Sequence, residues 1–249
     1  MDPQVLLITG GSRGIGAATA LLAAKRGFAV AVNYAANSLA ADEVVRRIRA
    51  EGGSAITVQG DVGDEAQVVA MFEKVDAKLG RLTALVNNAG IVDVRARVDQ
   101  MSVQRLERMF RINVTGSFVC AREAVRRMST AHGGSGGAIV NVGSAASRIG
   151  SPDLYVDYAA SKGAIDTFTL GLAKEVAAEG IRVNAVRPGL IDTEIHASGG
   201  LPDRHHQLAP HVPMQRVGTA DEVAAAIVWL LSPEASYTTG ALLDVGGGR

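Results

Sequence analysis

The apolar run at residues 5–8 (VLLI) leads into TGGSRGIG at residues 9–16, and Ile15, Ala18 and Leu22 then recur at helical spacing. A strand that gives way to a helix within so few residues needs a tight turn, which Gly10 permits. Gly14 lets the backbone approach a pyrophosphate, and Gly16 lets the helix lie close on the sheet. The first turn of that helix offers N–H groups to an anion. The stretch reads as a dinucleotide-binding turn. Its glycine spacing is not the plain G-x-G-x-x-G, so the reading rests on its place between strand and helix, against the alternative of a glycine-rich turn with no ligand.

Apolar runs at 29–33, 55–59, 84–87, 138–142, 181–186 and 241–245 predict six further strands. Helical periodicity marks 38–51, 64–79, 102–128, 155–178 and 219–231. Lys25 and Arg26 before Gly27 close the first helix, Gly52 and Gly53 close the second, and Thr219 with Glu222 form a capping box for the last. Strands alternating with helices imply an α/β chain with a parallel sheet, helices on both faces and ligands at the C-terminal strand ends.

With 249 residues and 47% hydrophobic content, the chain suits one domain spanning 1–249. Lys plus Arg and Asp plus Glu are both 25, so no global field favours nucleic acid or an anionic membrane. Cys120 is the one cysteine, which excludes an internal disulfide and a thiolate metal site and suits a reducing compartment. Residues 1–4 run straight into the first strand and no apolar run approaches a membrane span, so a soluble cytoplasmic protein is expected. Residues 190–218 break the alternation. They hold Pro202, Pro210 and Pro213 with His196, His205, His206 and His211, and a segment of this kind is expected to be a lid over a binding site, a disordered insertion being the alternative. Those histidines lack the helical pairing of a zinc site, so no metal is expected.

Tyr158 and Lys162 are four apart on a predicted helix and share a face, where the ammonium would favour phenolate and lower the tyrosine's pKa. Taken alone, such a pair is more often an interface tyrosine and a solvated lysine. Ser144 follows the strand AIVNV at an end where ligand groups gather, and the G-x-S-x-G elbow of a nucleophilic serine is absent. After the second strand stand Asn33, Tyr34, Ala35 and Ala36, with no acid before Asp42. A carboxylate there would bond both ribose hydroxyls of NAD(H) and repel a 2′-phosphate. Its absence, with Arg13 in the glycine turn able to bind that phosphate, points to NADP(H) over NAD(H).

The spacing TGxxxGxG, NNAG at residues 87–90, Ser144 at a strand end and YAASK at residues 158–162 occur in the order and at the separations that resemble the short-chain dehydrogenase/reductase family, over essentially the whole chain. The resemblance implies a single Rossmann-like doubly wound domain with a seven-stranded parallel sheet. It also implies a nicotinamide-dependent oxidoreductase interconverting a carbonyl and a secondary alcohol on a small molecule. Asn113, Ser144, Tyr158 and Lys162 would be its catalytic residues, Tyr158 the acid or base, and Asn113 would kink its helix and hold a water on Lys162. Cofactor contacts would come from Gly10, Ser12, Arg13, Gly14, Ile15 and Gly16 in the turn, and from Asn33, Tyr34 and Ser38 near the 2′-phosphate. Asp61 and Val62 would meet the adenine, Asn88, Ala89 and Gly90 its ribose, and Pro188, Gly189, Ile191 and Thr193 the nicotinamide, with Tyr158 and Lys162 also touching the cofactor. Tyr155 lines the pocket. Ser144 stands one residue further from Tyr158 than in several members, a difference assigned to the loop at Ser151 and Pro152. A homotetramer built on the helices at 102–128 and 155–178 is implied. The neighbouring readings are a 3-oxoacyl-carrier-protein reductase, disfavoured by Ala131 and Glu179 where such reductases place basic residues, a glucose-type dehydrogenase that takes NAD(H), and a nucleotide-sensing regulator without activity.

Overall fold

The first strand, β1 (Val5–Ile8), is buried on both faces, Leu6 and Ile8 on one side and Val5 and Leu7 on the other. Its two-residue alternation sends side chains into two separate cores, and this explains why the run is continuously apolar instead of alternating with polar residues. The computed structural model of the chain describes residues 4–193 and 207–249. Pro202, His196, His205 and His206, and with them the middle of the expected lid, lie outside the described residues.

Seven strands form one parallel sheet: β1, β2 (Ala29–Tyr34), β3 (Ala55–Gln59), β4 (Ala84–Asn87), β5 (Gly137–Val142), β6 (Ile181–Pro188) and β7 (Leu242–Val245), in the order β3-β2-β1-β4-β5-β6-β7. The register runs through Leu6 opposite Val30 on one side and Ala84 on the other. On one face lie α1 (Gly14–Lys25), α2 (Ser38–Ala50) and α8 (Ala220–Leu231), which contribute Ala20, Ala23, Val44, Ile48 and Ile227 to the core. On the other lie α3 (Glu65–Leu79), α5 (Gly116–Met128) and α7 (Val156–Val176), with Met71, Phe72, Ala121, Ala124, Met128 and Val176 inward. Fully burying one such large side chain contributes about 1.5–3 kcal/mol, so two continuous apolar layers suffice to fix the sheet. None of the described helices is long and apolar enough to cross a membrane.

The expected helix ends are present. Gly27 and Gly52 take φ values of 89° and 83° after α1 and α2. Thr219 and Glu222 make the reciprocal capping box at the start of α8. The helix expected at 102–128 is interrupted: α4 (Val103–Phe110) passes through a wide turn at Arg111–Thr115 before α5 begins. Asn113 lies within that turn, where its amide bonds outward to the backbone of Ile91. Gly116, at the start of α5, has only 2.8 Å between an added Cβ and the Val62 carbonyl, so the helix approaches the end of β3 as closely as backbone allows. A short helix, α6 (Ala146–Ile149), follows β5 and has no counterpart in the sequence periodicity.

Candidate active site

β1 and β4 are adjacent, and their outgoing connections run to opposite sides of the sheet. Ligands of doubly wound sheets sit at this switch point. A cavity of about 620 Å³ opens there, lined by residues that follow β1, β2, β3, β4, β5 and β6.

The glycine turn is built as its spacing implies. Gly10 has φ 60° and Gly14 φ 51°, in the left-handed region that favours glycine. A Cβ on Gly16 would lie 2.4 Å from the Gly10 carbonyl oxygen and 2.6 Å from Asn88 Nδ2. Asn88 donates that amide to the carbonyls of Thr9 and Gly10, and Thr9 Oγ1 accepts from the N–H groups of Asn88 and Ala89. The NNAG segment is thereby laced to the turn. α1 begins at Gly14 with no side-chain cap among the described residues and no acid in its first turn. Its first residues, Gly14 and Ile15, line the cavity, and glycine at 10 and 16 lets the turn close on itself and on the NNAG segment, so these residues fit the diphosphate of a dinucleotide.

Ser12, Arg13, Gly14, Ile15, Tyr34, Asp61, Val62, Asn88, Ala89, Gly90, Pro188, Gly189, Ile191 and Thr193 all line the cavity, as do Gly10 and Asn33. Gly16 and Ser38 do not. Gly16 is packed behind the turn, and Ser38 is the first residue of α2, whose N-terminus is instead capped by Asn37, a lining residue the sequence reading missed. The Asn33 amide is engaged inside the protein. Its Nδ2 donates to the carbonyls of Val58 and Gly60, and its Oδ1 accepts from the Gly10 N–H. Its side chain therefore joins β2, β3 and the glycine turn, and the expected donation to a ribose phosphate would have to displace these bonds. Asp61 is the one acid among the described lining residues. Its Oδ1 accepts from the Gly63 N–H at 2.9 Å, and Arg111 lies 3.6 Å from Oδ2.

At the other end of the cavity, β5 delivers Ser144, and the first turn of α7 delivers Tyr158. The Ser144 hydroxyl stands beside the Tyr158 phenol and favours its ionised form, and Ser144 Oγ accepts from the Ala146 N–H at 3.1 Å. One turn along α7, Lys162 Nζ donates to the Val142 carbonyl at 2.7 Å and sits 5.7 Å from the centre of the Tyr158 ring. Burial pushes the Tyr158 phenol up, with the Ser144 hydrogen bond opposing it. Burial also lowers Lys162 to about 8, against the pull of Asp166. Burial therefore moves Tyr158 in the direction opposite to the lowering expected from Lys162.

Asn113 is buried behind Gly90 and does not line the cavity. Its amide closes a ring with both backbone groups of Ile91 and donates to Ser161 Oγ. Gly90 lies between Asn113 and Lys162: an added Cβ there would be 3.4 Å from Asn113 Oδ1 and 3.6 Å from Lys162 Nζ, ordinary contact distances. The loop after β6 is fixed in turn: Pro188 O accepts from the Ala145 N–H, and Gly189 donates to Val245 O. Leu190 O accepts from Gly218, whose own carbonyl accepts from Asp192, so both ends of the expected lid meet beside the cavity. Tyr155 lines the wall, and so do Arg108, Ile149, Ser151 and Arg249, which no local motif marks.

The sequence model of the family described as enoyl-(acyl carrier protein) reductase matches residues 10–249. The chain is 59% identical to the uncharacterized oxidoreductase YgfF of Escherichia coli K12, over 98% of this chain and 99% of that one. It is 41% identical to cis-4-hydroxycyclohexanecarboxylate dehydrogenase of Sinomonas cyclohexanicum, over 98% and 96%. The solved short-chain dehydrogenase/reductase from Serratia marcescens BCRC 10948 superposes with a TM-score of 0.90 at 33% identity, covering 98% of this chain and 97% of that one. With the doubly wound sheet, the glycine turn and the serine, tyrosine and lysine at one cavity wall, these matches establish an oxidoreductase chain that belongs to the short-chain dehydrogenase/reductase family.

Proposed function

We propose that the protein is an NADP(H)-dependent oxidoreductase that interconverts a carbonyl and a secondary alcohol on a small molecule. The observation that carries this reading is the placing of Ser144 and Tyr158 together on the cavity wall, with Lys162 one helical turn along. A bound nicotinamide cofactor supplies or accepts the hydride. Ser144 and Tyr158 hold the substrate oxygen. In reduction Tyr158 donates its proton to that oxygen, and in oxidation it takes the proton from the alcohol. A phenol whose pKa is raised by burial stays protonated at neutral pH, which suits it to the donor role. Lys162 holds the cofactor ribose, and the Asn113 turn fixes the floor on which Lys162 and Gly90 meet.

NADP(H) is favoured over NAD(H) because Arg13 lines the end of the cavity formed after β2, where Asn33 to Asn37 contribute no acid. The substrate end combines Ile91, Val92, Ile149 and Leu190 with Ser144, Ser151 and Tyr155. Such a lining suits a compact, partly apolar carbonyl compound, and the relative named for a hydroxycyclohexanecarboxylate supports a cyclic one. The working form is a homotetramer, since Phe118 and Leu170 expose 47% and 40% of their surface on α5 and α7, a large apolar area to leave in water. The test is NADPH consumption against a panel of aldehydes, cyclic ketones, sugars and 3-oxoacyl thioesters. Turnover of a small ketone supports the reading, and no consumption with any member contradicts it.

A further inference from the structure

Arg105 on α4 holds Asp157 in a bidentate pair, Nε donating to Oδ2 at 2.7 Å and Nη2 to Oδ1 at 3.2 Å. The Asp157 side chain is fully buried and that of Arg105 is 9% exposed. The third guanidinium nitrogen, Nη1, donates to the Val94 carbonyl at 2.6 Å. A buried ion pair is a weak source of stability, because desolvation offsets most of its attraction, so its position calls for an explanation.

Asp157 immediately precedes Tyr158 in the first turn of α7, a helix that no side chain caps among the described residues. Val94 belongs to the loop after β4 whose Ile91 and Val92 line the cavity. That loop is fastened at Ile91 by Asn113 and at Val94 by Arg105, both anchors coming from α4 and the turn that continues it. The loop is also joined to the approach to α7, where Ala96 donates to Leu154 O. One rigid planar fork thus sets three segments relative to one another: α4, the substrate-facing loop, and the helical turn that presents the tyrosine.

We infer that Arg105 is a positioning residue: acting through Asp157 and Val94, it fixes the distance between Tyr158 and the substrate-facing loop Ile91 to Val94. This rests on the proposed acid role of Tyr158. Displacing an acid from its substrate by about an ångström is enough to cost on the order of 100-fold in rate.

The test compares wild type, Arg105→Lys and the double variant Arg105→Met/Asp157→Leu, which removes both charges and so leaves neither one buried alone. Each is measured for NADPH affinity by fluorescence titration, and for kcat, KM and the pH profile with a ketone the wild type reduces. The double variant is expected to bind NADPH within about twofold of wild type while kcat falls at least about 10-fold and KM rises. Arg105→Lys, which keeps the charge and loses the fork, is expected to fall between them, and it decides the matter if the double variant does not fold. A purely structural pair would lower the melting temperature and leave kcat, KM and the pH profile of the folded protein unchanged. Wild-type kcat and KM in the folded double variant, or in Arg105→Lys, would overturn the inference alone. A wild type that reduces no carbonyl overturns the proposed function with it.

Discussion

Lys162 Nζ donates to the carbonyl of Val142 at 2.7 Å, which fastens α7 to the last residue of β5, two positions before Ser144. The bond keeps a cation inside the protein, and burial brings its pKa to about 8 from 10.5. Between those values the folded chain binds fewer protons at this residue than the unfolded chain does. Lys162 therefore makes stability rise with pH across that window, and its full desolvation penalty stands below it. At about 1.4 kcal/mol per unit the change is on the order of 3 kcal/mol. In Lys162→Met this contribution disappears. Urea unfolding without cofactor should show the variant's stability relative to wild type at its highest near neutral pH, shrinking as pH rises toward about 10. A difference that does not vary with pH would contradict the assignment.

Gly16 is the tightest point of the cofactor cradle. Gly16→Ala places a methyl 2.4 Å from the Gly10 carbonyl, where backbone has to move. We expect a loss of stability of about 1–3 kcal/mol and a fall in NADP(H) affinity of at least about tenfold, read by thermal unfolding and by cofactor titration. Unchanged affinity would mean that the turn does not hold the diphosphate.

Arg13→Ala tests the basis of cofactor choice. Losing one charge-assisted contact to a 2′-phosphate should weaken NADP(H) by roughly tenfold, about 1.4 kcal/mol, and leave NAD(H) almost unaffected. Calorimetric titration with both cofactors measures it. Equal affinities in wild type, or parallel losses in the variant, would refute the preference.

Phe118 stacks on Phe168 with ring centroids 3.7 Å apart and remains nearly half exposed. If α5 and α7 pack against partner copies, light scattering at micromolar concentration will give a four-chain mass and Phe118→Asp will lower it. A monomeric wild type would end the tetramer proposal.

β1, β2 and β4 were legible because burial on both faces makes each a short, nearly unbroken apolar run, and Leu6 to Ile8 could scarcely be anything else between a polar start and a glycine turn. Gly10, Gly14 and Gly16 were legible because glycine is demanded there by backbone geometry, which the spacing of letters preserves. The break at Arg111–Thr115 is not marked by the periodicity, since it occupies a single turn within an otherwise amphipathic helical stretch. α6 is too short for any periodic signal. Asn33 looked like a cofactor donor because its residue type and place allow it, and only the structure reveals the backbone groups of Gly10, Tyr34, Val58 and Gly60 that already engage it. Arg105 and Asp157 lie 52 residues apart on separate helices, and each reads as an ordinary surface charge until the fold brings them together.

The most direct measurement is steady-state carbonyl reduction by wild type and Tyr158→Phe, with NADPH affinity measured on the same preparations. The substitution deletes the proton donor and leaves the ring in place, so kcat should fall by at least about 100-fold while the affinity for NADPH stays within about twofold. A Tyr158→Phe enzyme that turns over at close to the wild-type rate would contradict the assignment of Tyr158 as the acid, and with it the account of the site.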